Sequence, residues 1–123
     1  MGLCRGLLRR YTRPTLKVII AEKPSVAKDI ARVLGVKQAK DGYIEGSGYV
    51  VTWAFGHLIQ LVNPENYDPA LKDWRMDTLP IIPEEFQTQT VESSSAKRQY
   101  HVIESFLKNP QLTEVICATD AGR

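Results

Sequence analysis

Two apolar runs of strand length, one near each end of the 123-residue chain, each finish on a carboxylate. The first, Leu16-Lys17-Val18-Ile19-Ile20-Ala21, leads into Glu22-Lys23-Pro24-Ser25; the second, Val115-Ile116-Cys117-Ala118, leads into Thr119-Asp120-Ala121-Gly122-Arg123. Near-continuous apolar runs of this length are the pattern of strands covered on both faces, as in a parallel sheet. Two such strands separated by crossovers are expected to be parallel neighbours, with their C-terminal ends on one edge. Glu22 and Asp120 then face one crevice, and the C-terminal edge is where α/β sheets carry their sites.

The residues between the two runs read as alternating elements. Ser25 to Leu34 places Val26, Ile30 and Val33 or Leu34 on one helical stripe, and Gly35 ends it. Gly42 to Trp53 is rich in Tyr, Ile, Val and Thr, broken by Gly46 and Gly48 as a hairpin would be. Residues 63–85 contain Pro64, Pro69, Pro80 and Pro83 and read as a long irregular loop. Phe86 to Val91 alternates with Gln and Thr as a strand does. Ala96 to Leu107 carries Val102, Ile103, Phe106 and Leu107 at helical spacing, stopped by Asn109-Pro110. The order is β-α-β-β-loop-β-α-β, without repeats, in a chain of single-domain size.

Charge narrows the functional classes. Residues 1–15 hold Arg5, Arg9, Arg10 and Arg13 and no acid, leaving 12 basic against 14 acidic side chains, net −2, in the remainder. Nothing here is a basic surface that would bind nucleic acid by charge alone; such binding must come from local geometry. The arginine-rich segment lacks the continuous apolar core of a secretory signal and is read as a disordered extension, although an organellar transit peptide has the same composition. No apolar run approaches the roughly 20 residues that span a bilayer, so no membrane role is expected. Cys4 and Cys117 form neither a metal spacing nor a disulfide framework. A reducing, cytoplasmic location is expected, with Cys117 a buried small hydrophobe.

Two carboxylates at strand ends suit Mg²⁺, which takes one or two protein carboxylates and keeps several waters. Their bland alternatives are a helix-leading acid for Glu22 and a turn residue for Asp120. His57 beside apolar residues is in the first instance structural, and His101 falls on the outer face of the second long helix. Trp53 and Trp74 could stack on bases, but packing in the core or against the loop is the expected use.

Four ordered blocks, IIAEKPSVAKDIARVLG, YIEGSGYVVTWAFGHLIQL, YDPALKDWRMDTLPIIPEEF and EVICATDAGR, resemble the N-terminal part of type IA DNA topoisomerases of the topoisomerase III group. The resemblance covers residues 16 to 123. It implies a Toprim domain, a Rossmann-like α/β module with a mainly parallel central sheet flanked by helices, here truncated at its C-terminal side. It assigns Glu22 an acid/base role beside the scissile phosphate and Lys23 the support of phosphate charge. Asp120 matches the first acid of an Asp-x-Asp element that binds Mg²⁺ together with Glu22, while Gly122 replaces the second acid. Lys23, His57, in a Gly-His pair, and Arg123 are the DNA-contacting positions.

The parent enzyme implied by this resemblance relaxes or unlinks DNA, acting on single-stranded regions. A tyrosine in a later domain attacks the phosphodiester and stays joined to the 5′ phosphate, without ATP and without a small-molecule substrate. Tyr11, Tyr43, Tyr49, Tyr67 and Tyr100 match none of that nucleophile's surroundings, so the segment alone is expected to be inactive. A bacterial, nucleoid-associated setting follows from the same resemblance. The competing readings are a Toprim primase or nuclease, which would share Glu22 and Asp120 without the blocks around Trp53 and Trp74, and a non-catalytic binding module.

Overall fold

In the computed structural model, which describes residues 15–121, a five-stranded sheet runs in the order β2-β3-β4-β1-β7. Strand β1 is Leu16–Ala21, β2 Gln38–Lys40, β3 Tyr43–Gly46, β4 Tyr49–Trp53 and β7 Leu112–Ala118. β1 is flanked by parallel partners on both sides: Ala21 is level with Trp53 of β4 and with Ala118 of β7. β2, β3 and β4 form an antiparallel meander. The β3–β4 turn is Ser47-Gly48, with φ of 53° and 81°. Two positive φ angles are the condition of a type I′ turn, whose twist matches that of a hairpin.

Helix α1 (Pro24–Leu34) starts with proline inside its first turn, where a missing N–H costs nothing, and ends at Gly35 in the left-handed region. Its small Ala27 and Ala31, 0% and 2% exposed, let it lie close on the sheet against Ile19, Ala21, Ile44, Val51 and Trp53. Helix α3 (Ser94–Leu107) packs against β4 through Ala96, Gln99 and Ile103. Tyr43 on β3 meets Phe106 edge to face, ring centres 4.8 Å apart.

The proline-bearing segment is more ordered than its composition suggests. A second small antiparallel sheet pairs β5 (Ile59–Leu61) with β6 (Thr88–Thr90), and between them lie a short helix α2 (Pro64–Tyr67) and a 3₁₀ turn at Pro69–Lys72. Asp68 caps that turn by accepting the Ala70 N–H, and the Tyr67 hydroxyl accepts the Gln87 N–H at 2.8 Å. The strand expected at Phe86–Val91 is present in its central residues. Strands β2 and β5, three residues each, are too short to leave a periodic signal.

Three burial expectations are corrected. β7 is paired on one side only among the described residues, and Val115 is 46% exposed while Cys117 is exposed too. Strand alternation points Ile116 and Ala118 toward the α1 face, where they pack on the core. Val115 and Cys117 take the other face, and α3 sits over β4 and β6 rather than β7. Trp74 is 82% exposed instead of packed, whereas Trp53 joins the core as expected. The extension expected over residues 1–15 lies outside the described residues but for Thr15, as do Cys4, Gly122 and Arg123.

Candidate functional site

The parallel register of β4, β1 and β7 brings three chain exits to one edge. From β1 the chain passes through Glu22 into Lys23, which holds the N-cap of α1 in extended geometry (φ −147°, ψ 160°) with no side-chain capping bond. From β7 it passes through Thr119 to Asp120. The Asp120 backbone N–H donates to Glu22 Oε2 at 3.3 Å, across 98 residues of sequence. The strand ends therefore bring Glu22 to the Asp120 backbone on one edge, as the strand pattern requires, with Glu22 half-buried and Asp120 exposed.

Lys23 is exposed and leads a helix whose first turn contains no acid. The unpaired amides at that helix start and the ammonium beside them give this edge a positive component next to its two carboxylates. From β4 the chain leaves through Ala54, whose N–H donates to Ala21 carbonyl oxygen at 3.0 Å. That bond ties the loop carrying Phe55, Gly56 and His57 to the Glu22 edge. His57 is exposed and makes no hydrogen bond or ion pair among the described residues.

The donors at this edge are carboxylate oxygens, which suit a hard divalent cation. Among the described residues there is no group of three or more His, Cys, Asp and Glu able to enclose a metal ion. Two carboxylates could supply only part of a hard cation's coordination shell, and they are not the nitrogen and sulfur donor set of a zinc cage. Near the end of β7, the Cys117 thiol lies 3.1 Å from Thr119 Oγ1. Side-chain and backbone hydrogen bonds of Thr119 pull its pKa below the ordinary thiol value.

One buried polar side chain escaped the sequence reading. Gln99, 3% exposed, donates through Nε2 to the Gly42 and Trp53 carbonyls at 2.9 and 2.6 Å and to Thr52 Oγ1 at 3.0 Å. Thr52 in turn donates to the Gly42 carbonyl at 2.9 Å. The network joins α3 to the end of β4 and to the β2–β3 turn. Its signal was available in principle: Gln99 stands three residues after Ala96 and four before Ile103, a polar residue on the buried stripe of a helix.

The Toprim domain family model matches residues 17–123. Proteins named DNA topoisomerase 3 are also similar: that of Staphylococcus epidermidis is 46% identical over 106 residues and that of Staphylococcus haemolyticus 48% over the same length. The protein of the same name from Shouchella clausii is 44% identical over 107 residues. These alignments take in 86–87% of this chain but only 14–15% of each relative, so the chain spans about one-seventh of the length of the curated relatives it matches. With the mainly parallel sheet and the family match over residues 17–123 in agreement, the chain belongs to the Toprim domain family.

Proposed function

We propose that this domain provides the acid/base residue, the phosphate-facing cation and the Mg²⁺-binding edge for DNA strand cleavage and rejoining in a type IA topoisomerase of the topoisomerase III group. The observation that carries the reading is the contact of Glu22 with the Asp120 backbone at the common end of β1 and β7. In the proposed reaction a tyrosine, supplied by a part of the enzyme outside this segment, gives up its phenolic proton to solvent water as its oxygen forms a bond to phosphorus. The bond from phosphorus to the 3′ oxygen breaks, and the leaving oxygen takes a proton from the Glu22 carboxyl. Rejoining reverses each transfer, with the Glu22 carboxylate accepting the proton of the returning 3′ hydroxyl.

Lys23 is given the task of offsetting negative charge on the phosphate oxygens as the geometry at phosphorus changes, a role supported by its exposed position directly after Glu22 at the start of α1. The Asp120 N–H holds Glu22 in orientation. Asp120, together with Glu22 when Glu22 is ionised, would hold Mg²⁺, which when bound supplies further neutralisation of the phosphate. His57 and Arg123 are assigned to the DNA strand itself. Tyr67 Oη accepts the Gln87 N–H, Tyr43 and Tyr49 stand on strands of the sheet and Tyr100 on α3, and the sequence around these and Tyr11 matches none of the family's nucleophile region. On this reading the 123-residue chain alone neither relaxes supercoiled DNA nor forms a covalent adduct.

Mg²⁺ titration followed by amide NMR tests this reading. Weak binding should shift Ala21 to Lys23 and Thr119 to Ala121 first, and Asp120→Ala should remove those shifts. Changes confined to the loop around Pro69, or unaltered binding by the Asp120→Ala protein, would refute it.

A further inference from the structure

The bonds of Gln99 extend beyond α3 and β4 to the residue at the centre of the proposed chemistry. Its Nε2 donates to the Trp53 carbonyl at 2.6 Å, the shortest of its three contacts. That carbonyl and the Ala54 N–H are the two ends of one peptide group, and the Ala54 N–H donates to the Ala21 carbonyl at 3.0 Å. The Ala21 carbonyl belongs in turn to the peptide group whose nitrogen is that of Glu22. Three amides thus stand in a hydrogen-bonded row: the Gln99 side chain, the 53–54 peptide and the 21–22 peptide.

The direction of the row is fixed by chemistry. The Gly42 and Trp53 carbonyls only accept, so it is the amide nitrogen of Gln99 that faces them. Trp53 stands one residue beyond the last pairing of β4 with β3, Tyr43 with Thr52, and the side chain supplies a donor where that ladder has ended. A β-carbon at Gly42 would lie 2.9 Å from Gln99 Oε1, so the turn closes against the amide and leaves it no room to swing away. Hydrogen bonds in a row polarise one another, and a donor on the Trp53 carbonyl makes the Ala54 N–H a stronger donor to Ala21. Glu22 is then held from both neighbouring strands: its backbone through the row from β4, and its carboxylate by the Asp120 N–H after β7.

We propose that Gln99 is a positioning residue for strand cleavage, acting through the 53–54 peptide to hold the backbone of Glu22 so that its carboxyl meets the leaving 3′ oxygen. The inference rests on the proposed acid/base role of Glu22 and assigns a task in that reaction to a buried side chain on α3 that touches no substrate. Displacing a reacting group by a fraction of an ångström is enough to slow a reaction.

Two experiments test this. In the ¹⁵N-labelled chain, Gln99→Leu should move the Ala54 and Glu22 amide protons upfield and speed the exchange of the Ala54 N–H, because the row has lost its first donor. In a full-length topoisomerase carrying this segment, Gln99→Leu should slow single-turnover cleavage of saturating DNA about tenfold or more while DNA affinity changes less than about threefold. Ile103→Ala, which loosens the same helix without removing a donor, should leave that rate near the parental value. A cavity of about 230 Å³ between α3 and the end of β4 has Gln99, Trp53 and Phe55 in its walls, so the space vacated in Gln99→Ala is continuous with it. Acetamide, which carries the missing amide, should restore part of the rate to Gln99→Ala and none to Gln99→Leu, whose side chain fills the space.

Unmoved Ala54 and Glu22 amides, parental cleavage by Gln99→Leu, or an equal loss in Ile103→Ala would each overturn the positioning role. Glu22→Gln, assayed alongside, separates the two readings. If it is impaired while Gln99→Leu is not, only the role of Gln99 fails; if it cleaves at the parental rate, the acid/base role of Glu22 fails and the inference with it.

Discussion

Replacing Gln99 with leucine isolates the contribution of the polar network that ties α3 to the sheet. Gln99 Nε2 has two hydrogens and reaches three acceptors at 2.6–3.0 Å. Two net hydrogen bonds at about 1 kcal/mol each, with a further ~1 kcal/mol for acceptors stranded away from water, give a gross loss of about 3 kcal/mol. Leucine has nearly the same size, so it opens little cavity, and its greater apolarity returns about 1 kcal/mol. The net destabilisation is about 2 kcal/mol. With a urea slope of about 1.5 kcal/mol/M, the unfolding midpoint should fall by rather more than 1 M. Circular dichroism during urea titration measures this directly. Gln99→Glu is the companion variant: above neutrality it sets an acceptor-only carboxylate against three oxygens. The introduced carboxyl would have a raised pKa in the folded state. The part of its penalty that comes from ionisation should therefore be absent below about pH 4 and grow as pH rises toward that folded value, on top of a pH-independent loss from having one O–H donor in place of two N–H donors. A Gln99→Leu midpoint within 0.3 M of the parent, or a Gln99→Glu penalty independent of pH, would show that the amide does not carry the load assigned to it.

Val51, fully buried in β4, should cost about 2–3 kcal/mol when changed to alanine, measured by the same denaturation, because two buried carbon groups leave and the sheet closes only partly. Cys117 should alkylate in a Cys4→Ser background with an inflection at lower pH than an ordinary thiol, and Thr119→Val should move the inflection upward, since Thr119 is what lowers the thiol's pKa. An unchanged profile would count against the Cys117–Thr119 hydrogen bond. In a full-length topoisomerase carrying this segment, Lys23→Ala should lower DNA cleavage about a hundredfold or more while changing DNA affinity less than tenfold. Parallel losses in cleavage and affinity would instead make Lys23 a simple DNA contact.

What could be read from the residues is what depends on local pattern. The apolar runs at 16–21 and 115–118, the helix ended by Gly35 and the Gly46/Gly48 hairpin each carry their own periodicity or turn chemistry, and the crossover rule then sets β1 beside β7. From that pairing the meeting of Glu22 with Asp120 follows. The exposure of Cys117 and Val115 was not readable, because an apolar strand looks the same whether or not a helix covers its second face. Nor was the β5–β6 sheet, whose three-residue strands pair across an intervening segment of 26 residues. The cavity beside Trp53 draws its walls from β4, the loop after it and α3, a convergence that no stretch of sequence displays. Gln99 was visible as a polar residue among apolar ones, but only coordinates show its three acceptors.

The bond between Asp120 and Glu22 joins residues 98 positions apart, and this separation governs when the site can exist at all. Contacts so distant along a chain form late, since a long loop must close before they reward it. β1 and α1 can gather with the β2–β4 meander early, from nearby residues, while the carboxylate pair waits for β7 to dock on the free side of β1. Chemical competence is thus tied to the last stage of sheet assembly. Any partly folded form lacking β7 therefore carries Glu22 without the Asp120 N–H that it accepts in the finished sheet, and the edge stays incomplete until that last pairing forms.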